Sequence, residues 1–211
     1  MQEQSVTNSS RRLEAIVWGA LILTILAIAI AFIVQRLRPE PVSFPVISST
    51  GDFVLTNQNA RPVTATDLRG HVWIANIIFT HCAGPCPLMT KAMKQLQDAT
   101  DKRVRFVTLT TDPDNDTPEV LRRYGEKYGA DFNRWSFLTG SKQQIGHLAV
   151  DGLKLVAQEK PAAERENPAD LFIHATAFVL VDQSNNLRAA FQLDDPELKS
   201  KVRQATRALL K

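Results

Sequence analysis

Apolar positions in this chain follow two distinct rhythms. Residues 16–34, from Ile16 to Val34, form one unbroken hydrophobic run without a charge. As a helix this run rises roughly 28 Å, about the thickness of a bilayer's hydrocarbon core. Beyond residue 50 the pattern breaks into short β-branched runs alternating with segments whose apolar residues recur every three or four positions. Gly51–Thr56 and Arg61–Thr64 flank the polar Asn57-Gln58-Asn59 and predict a β-hairpin. Asp67-Leu68-Arg69-Gly70 reads as a turn into His71–Phe79, a continuous apolar run that predicts a strand buried on both faces. Leu88, Met89, Ala92, Met93 and Leu96 then predict an amphipathic helix starting near Pro85–Pro87, where proline is tolerated because first-turn amides have no partner.

The alternation continues to the end of the chain. Arg103–Thr110 predicts a strand, and the polar loop Thr111–Pro118 caps a helix running to about Gly129. A short strand at Trp135–Leu138 and a helix from Ser141 to Leu148 follow. Residues 158–170 read as a polar excursion. Thr176–Asp182 and Leu187–Phe191 form a second hairpin, and Pro196–Leu210 closes the chain as an amphipathic helix. This order predicts an α/β fold with a mixed central sheet flanked by helices, plus the N-terminal hairpin. Right-handed crossovers make the first strands parallel, so their carboxyl ends share one sheet edge, where sites form. Both the turn after Phe79 and Asp112 fall on that edge.

The hydrophobic run sets the domain organisation: a cytoplasmic N-terminal tail at 1–15, polar and unstructured over 1–10, a transmembrane segment at 16–34, a linker at 35–50 with three prolines, and a globular domain at 51–211. A cleaved signal peptide is the rival reading. Its apolar region is shorter, about 7–15 residues, and ends at a small-residue cleavage site, whereas Gln35-Arg36-Leu37-Arg38-Pro39 follows here. An uncleaved signal anchor is favoured. Arg11 and Arg12 on one side are matched by Arg36 and Arg38 on the other, so charge alone does not orient it.

The formal charge of +3 adds little, because four of the 25 basic and two of the 22 acidic residues precede Pro39. A near-neutral domain gives no electrostatic argument for nucleic acid. The chemistry sits in Thr80-His81-Cys82-Ala83-Gly84-Pro85-Cys86-Pro87, which holds both cysteines of the chain. They fall between a strand and a helix N-terminus, where unpaired amides favour thiolate. Such a pair can bridge, chelate or exchange; two inert core cysteines or a structural disulfide are the plain alternatives. Met89, Met93, Trp73 and Trp135 read as core, His71 as lying at the wrong end of the central strand, and His147 as a surface residue.

With these residues in view the chain resembles the Sco/SenC family of the thioredoxin-like superfamily, over roughly residues 45–211. The features that carry the resemblance are the three-residue spacer between the cysteines followed by Pro87, Thr110-Thr111-Asp112-Pro113-Asp114-Asn115-Asp116-Thr117-Pro118, Trp135–Gly140, and the lone His174 before a late strand. The resemblance implies a thioredoxin-like fold and a copper site made by Cys82, Cys86 and His174. Asp112 has two readings, one as a residue that orients the ligands by accepting a hydrogen bond from His174 or from the Cys turn and one as a helix-approach turn residue, while Asp116 reads as a loop or cap residue. His81 is a departure, a potential second nitrogen donor or a solvated loop residue. The implied function is a membrane-anchored chaperone that carries copper, as Cu(I) and also Cu(II), to the dinuclear copper site of cytochrome c oxidase. The alternative is a thiol-disulfide oxidoreductase, with Cys82 attacking and Cys86 resolving, that reduces the cysteines of the oxidase's copper-site subunit. Both place the domain on the periplasmic side of the inner membrane, served by a thiol reductase and a copper donor.

Overall fold

The computed structural model describes residues 3–37, 44–155, 157–159, 172–174 and 176–210. It comprises two compact units, Met1–Val42 and Ser43–Lys211. The first is one helix, α1 (Glu3–Leu37), whose stretch Ile16–Gln35 is long and apolar enough to cross a membrane. Its helical start at Glu3 corrects the expectation of an unstructured tail. Extending an existing helix adds one hydrogen bond per residue ordered and avoids the cost of a new nucleus.

In the second unit β1 (Ser48–Ser49), β2 (Val54–Asn57), β3 (Pro62–Thr64), β4 (Trp73–Ile78), β5 (Arg105–Thr110), β6 (Trp135–Thr139), β9 (Ala177–Val181) and β10 (Asn186–Gln192) form one sheet of order β1-β10-β9-β4-β5-β6-β2-β3. The strands β4, β5 and β6 are parallel, while β9 runs antiparallel to β4. The sheet is therefore mixed, as the element order predicts. All six residues of β4 are buried. Their period of two sends Trp73, Ala75 and Ile77 into one core and Ile74 and Ile78 into the other.

The second core lies under α3 (Cys86–Ala99), α4 (Pro118–Lys127) and α6 (Leu198–Leu209), and takes in Met89 and Met93, both fully buried. The first lies under α2 (Ala65–Leu68) and α5 (Lys142–Gly146), which continues as a π-helical segment, His147–Gly152. Helix starts follow local chemistry. Thr64 and Asp67 form a capping box that turns the expected 67–70 turn into one helical turn, Ser141 and Gln144 form a second box, and Thr117 caps α4 ahead of Pro118.

Three short strands go beyond the sequence reading. Ser48 and Ser49, within the stretch read as linker, pair with Leu187 and Asn186. The segments β7 (Ala157–Glu159) and β8 (Phe172–His174) pair as a separate ribbon. The expected excursion between them falls mostly outside the described residues.

Candidate metal centre

The parallel register sets Ile78 opposite Thr110, so the chain leaves β4 and β5 side by side at the carboxyl edge of the sheet. The Thr111 amide donates to the Ile78 carbonyl at 2.9 Å and prolongs the pairing by one step. Past Ile78 the chain turns tightly, with the Cys82 amide donating to the Phe79 carbonyl at 3.3 Å, and enters α3 at Cys86 with Pro87 in its first turn. Both sulfurs lie at the strand-to-helix turn, as their place in the sequence predicts.

Cys82 and Cys86 are thiols whose side chains hydrogen-bond to one another. Cys82 is 9% exposed and Cys86 fully buried. A Cβ added at Gly84 would sit 3.7 Å from Cys82 Sγ, so the spacer backbone passes close over that sulfur. The Cys82 hydrogen bond and burial push the Cys86 thiol far up, and the opposing backbone amides of Phe79 and Cys86 do not offset them. Both causes oppose the thiolate expected at the helix start.

Asp116 ties this turn to the next loop. Its carboxylate accepts the Thr80 amide at 3.1 Å, the Thr80 hydroxyl at 2.5 Å and the Thr110 hydroxyl. The residue is fully buried. Burial raises its carboxyl above the usual value, against the pull of the Thr110 and Thr80 hydrogen bonds and with added repulsion from Asp112. Asp112 instead accepts the Asn115 side-chain amide at 2.8 and 3.1 Å, and its own N–H donates to Thr110 Oγ1 at 2.9 Å. The carboxylate that reaches the Cys turn is therefore Asp116, a correction to its expected role as a loop or cap residue. A signal was available, since Thr117 is the N-cap and the residue before a cap is commonly a hydrophobic staple rather than an acid.

His81 is exposed, with Nδ1 3.3 Å from Thr80 Oγ1. Among the described residues no three His, Cys, Asp or Glu side chains converge, so His81 is not gathered with the two sulfurs. His174 ends β8 with its backbone opposite Ala157, and its side chain lies outside the described residues. His147 is exposed and paired with Asp151 at 3.0 Å.

The SCO1/SenC family model matches residues 46–210. A SCO1 protein homolog of Bacillus subtilis is 34% identical over 146 residues, 67% of this chain and 72% of that protein. The solved structure of BsSco, described as a member of the Sco family of cytochrome c oxidase assembly proteins with a disulfide switch, is 28% identical. It covers 82% of this chain and 98% of its own, at a TM-score of 0.64. ScoI of Bradyrhizobium japonicum, solved with copper bound, shares the fold at 20% identity and a TM-score of 0.59, over 75% of this chain and 98% of its own.

Proposed function

This chain belongs to the SCO1/SenC family, whose Sco members are cytochrome c oxidase assembly proteins, and on that premise we propose that it is a membrane-anchored copper carrier serving that assembly. The observation that carries the reading is the pair of contacting thiols, Cys82 slightly exposed and Cys86 fully buried, where β4 meets α3. Copper is the cargo. With His174 as third donor the set is soft and suits Cu(I), or Cu(II) once another donor joins. A structural zinc site closes with four ligands. Copper bound elsewhere in this fold is consistent with the reading.

The chain's own residues divide the work. Cys86 must lose its proton to bind, so loading releases protons to solvent. Asp116 holds Thr80 and with it the start of the turn, and Asp112 has acceptor capacity beyond Asn115 for the ring of His174. Cys82, the more exposed sulfur, is where a partner's thiolates attack to take the ion. The recipient is the copper-site subunit of the oxidase, and a copper donor precedes it. The apolar helix anchors the chain in the inner membrane with the domain on the periplasmic side, where an empty dithiol oxidises and needs a reductase.

The same contact supports a second reading. The Cys82 thiolate attacks a disulfide sulfur of the partner and releases one partner thiol. Cys86 then attacks Cys82 in the mixed disulfide, releases the second, and leaves Cys82–Cys86 oxidised by two electrons. One experiment separates the two readings: Cu(I) loading of the reduced full-length chain in detergent, beside Cys82→Ala, Cys86→Ala and His174→Ala. One copper per chain, lost or greatly weakened in each variant, is the result expected of the carrier. No retained copper in the wild type, with efficient disulfide exchange that survives His174→Ala, overturns it in favour of the reductase.

A further inference from the structure

Helix α6 buries Leu198, Val202, Ala205 and Thr206 and contains no acidic residue. On its outer side Lys199, Arg203 and Arg207 recur every four positions and so line up as one stripe. All three are exposed. Many other cations of the domain are neutralised, Lys94 by Asp98, Arg122 by Glu126 and Arg188 by Asp182. Even Lys201, on the other side of the same helix, takes Asp195 and Glu197. Among the described residues no carboxylate pairs with the stripe.

A second observation bears on what lies within its reach. Phe44, among the first residues of the domain, packs on the same core as α6, and its carbonyl accepts Arg188 Nε of β10 at 2.6 Å. The apolar span ends at Gln35. An extended chain covers at most about 3.3–3.6 Å per residue, so covalent length alone keeps Phe44 within roughly 30 Å of the end of that span. Whatever the arrangement of the two units, the tether keeps a bilayer within covalent reach of the domain, so a headgroup surface is present at high effective concentration. An anionic headgroup layer has the complementary charge, and its attraction reaches about one Debye length, 8–10 Å.

We propose that Lys199, Arg203 and Arg207 dock the domain on the anionic headgroups of the membrane its own N-terminal helix spans. The inference rests on the anchoring proposed above. Three cations bind such a surface weakly from free solution, roughly fivefold per charge. Tethering makes the step intramolecular, at an effective concentration near millimolar, so that weak attraction suffices. Docking would hold α6 against the lipid and limit the directions from which a partner can approach the Cys turn.

The test uses the full-length chain in nanodiscs of pure phosphatidylcholine or with about one third phosphatidylglycerol. Lysine acylation and arginine modification are read by mass spectrometry. Lys199, Arg203 and Arg207 are expected to be protected about fivefold or more in the anionic discs, with protection lost in about 0.5 M salt. Exposed Lys102 and Lys154 serve as controls and should react alike in both lipids. In Arg203→Gln/Arg207→Gln and in Arg203→Glu/Arg207→Glu, Lys199 should react as it does over phosphatidylcholine. Equal modification in both lipids by a chain that co-purifies with the discs overturns the docking and leaves the anchor standing. Protection that appears only when oxidase is added assigns the stripe to an acidic protein and likewise overturns it. A chain that fails to enter the discs overturns anchor and docking together.

Discussion

Replacing Asp116 by alanine removes the acceptor shared by the Thr80 amide, the Thr80 hydroxyl and the Thr110 hydroxyl. Thr110 is fully buried, so its hydroxyl loses a partner that water does not readily replace. Each buried donor left unsatisfied costs about 1–3 kcal/mol, while removing a desolvated carboxylate returns part of that. The net expectation is about 2–4 kcal/mol of lost stability, a fall in Tm of roughly 5–15 °C for a domain of this size. Asp116→Asn keeps one carbonyl oxygen and should lose less than half as much. A double-mutant cycle with Thr110→Val, read by urea unfolding, should give a coupling of about 1 kcal/mol or more. The pH dependence carries a sign. A carboxyl raised in the native state contributes stability that is full below its ordinary value, 3.8, and is lost as pH rises through the native value. The stability advantage of wild type over Asp116→Asn should therefore narrow with rising pH in the window above 3.8. Additivity with Thr110→Val within about 0.4 kcal/mol, or a gap that widens with pH, would refute the tether.

The geometry fixes three further outcomes. Native-state alkylation should label Cys82 and spare Cys86, which is fully buried and whose thiol is pushed up by that burial and by the Cys82 hydrogen bond; equal labelling by mass spectrometry would contradict the arrangement. Gly125→Ala would place a Cβ 2.6 Å from the Phe132 ring and 2.9 Å from Phe137. Overpacking of this kind costs about 1–3 kcal/mol against a helix-propensity gain of about 1, so urea midpoints should fall, and an unchanged midpoint would show that Phe132 yields freely. At Asp182 burial pulls the carboxyl up, but the Asn186 and Ser184 amides and Arg188 outweigh it and hold it below 3.8. The stability it supplies is present above 3.8 and lost as pH falls through the lower native value, so Asp182→Ala should flatten the acid limb of a stability–pH curve.

How much of this was legible depends on which physical term places each element. The strand β4, buried on both faces, and the helix α3, buried on one, write their burial into the sequence as a continuous apolar run and a 3.6-residue period. Strands β1, β7 and β8, two or three residues long, exist through pairing with a distant segment, so no window of local sequence contains their cause. The capping box that converts the expected turn into α2 was visible as Thr64 and Asp67 three residues apart. The Gly70 that follows it carries the competing turn signal.

The site divides the same way. Cys82 and Cys86 were legible because spacing and a strand-to-helix switch are both local, and His174 only through a family resemblance, 88 residues beyond Cys86 in a chain without an alignment. Asp112 and Asp116 share one polar loop, and nothing in that loop tells which of them turns inward. The difference arises 36 residues away, where Thr80 stands beside the end of β5 because Ile78 is in register with Thr110. A shift of β4 against β5 by one residue would move Thr80 away from the Thr110 hydroxyl and leave Asp116 buried without its donors. The register of the sheet thus decides which carboxylate serves the Cys turn. That is why the Thr110→Val cycle with Asp116 tests the placement of the site as well as the strength of a hydrogen bond.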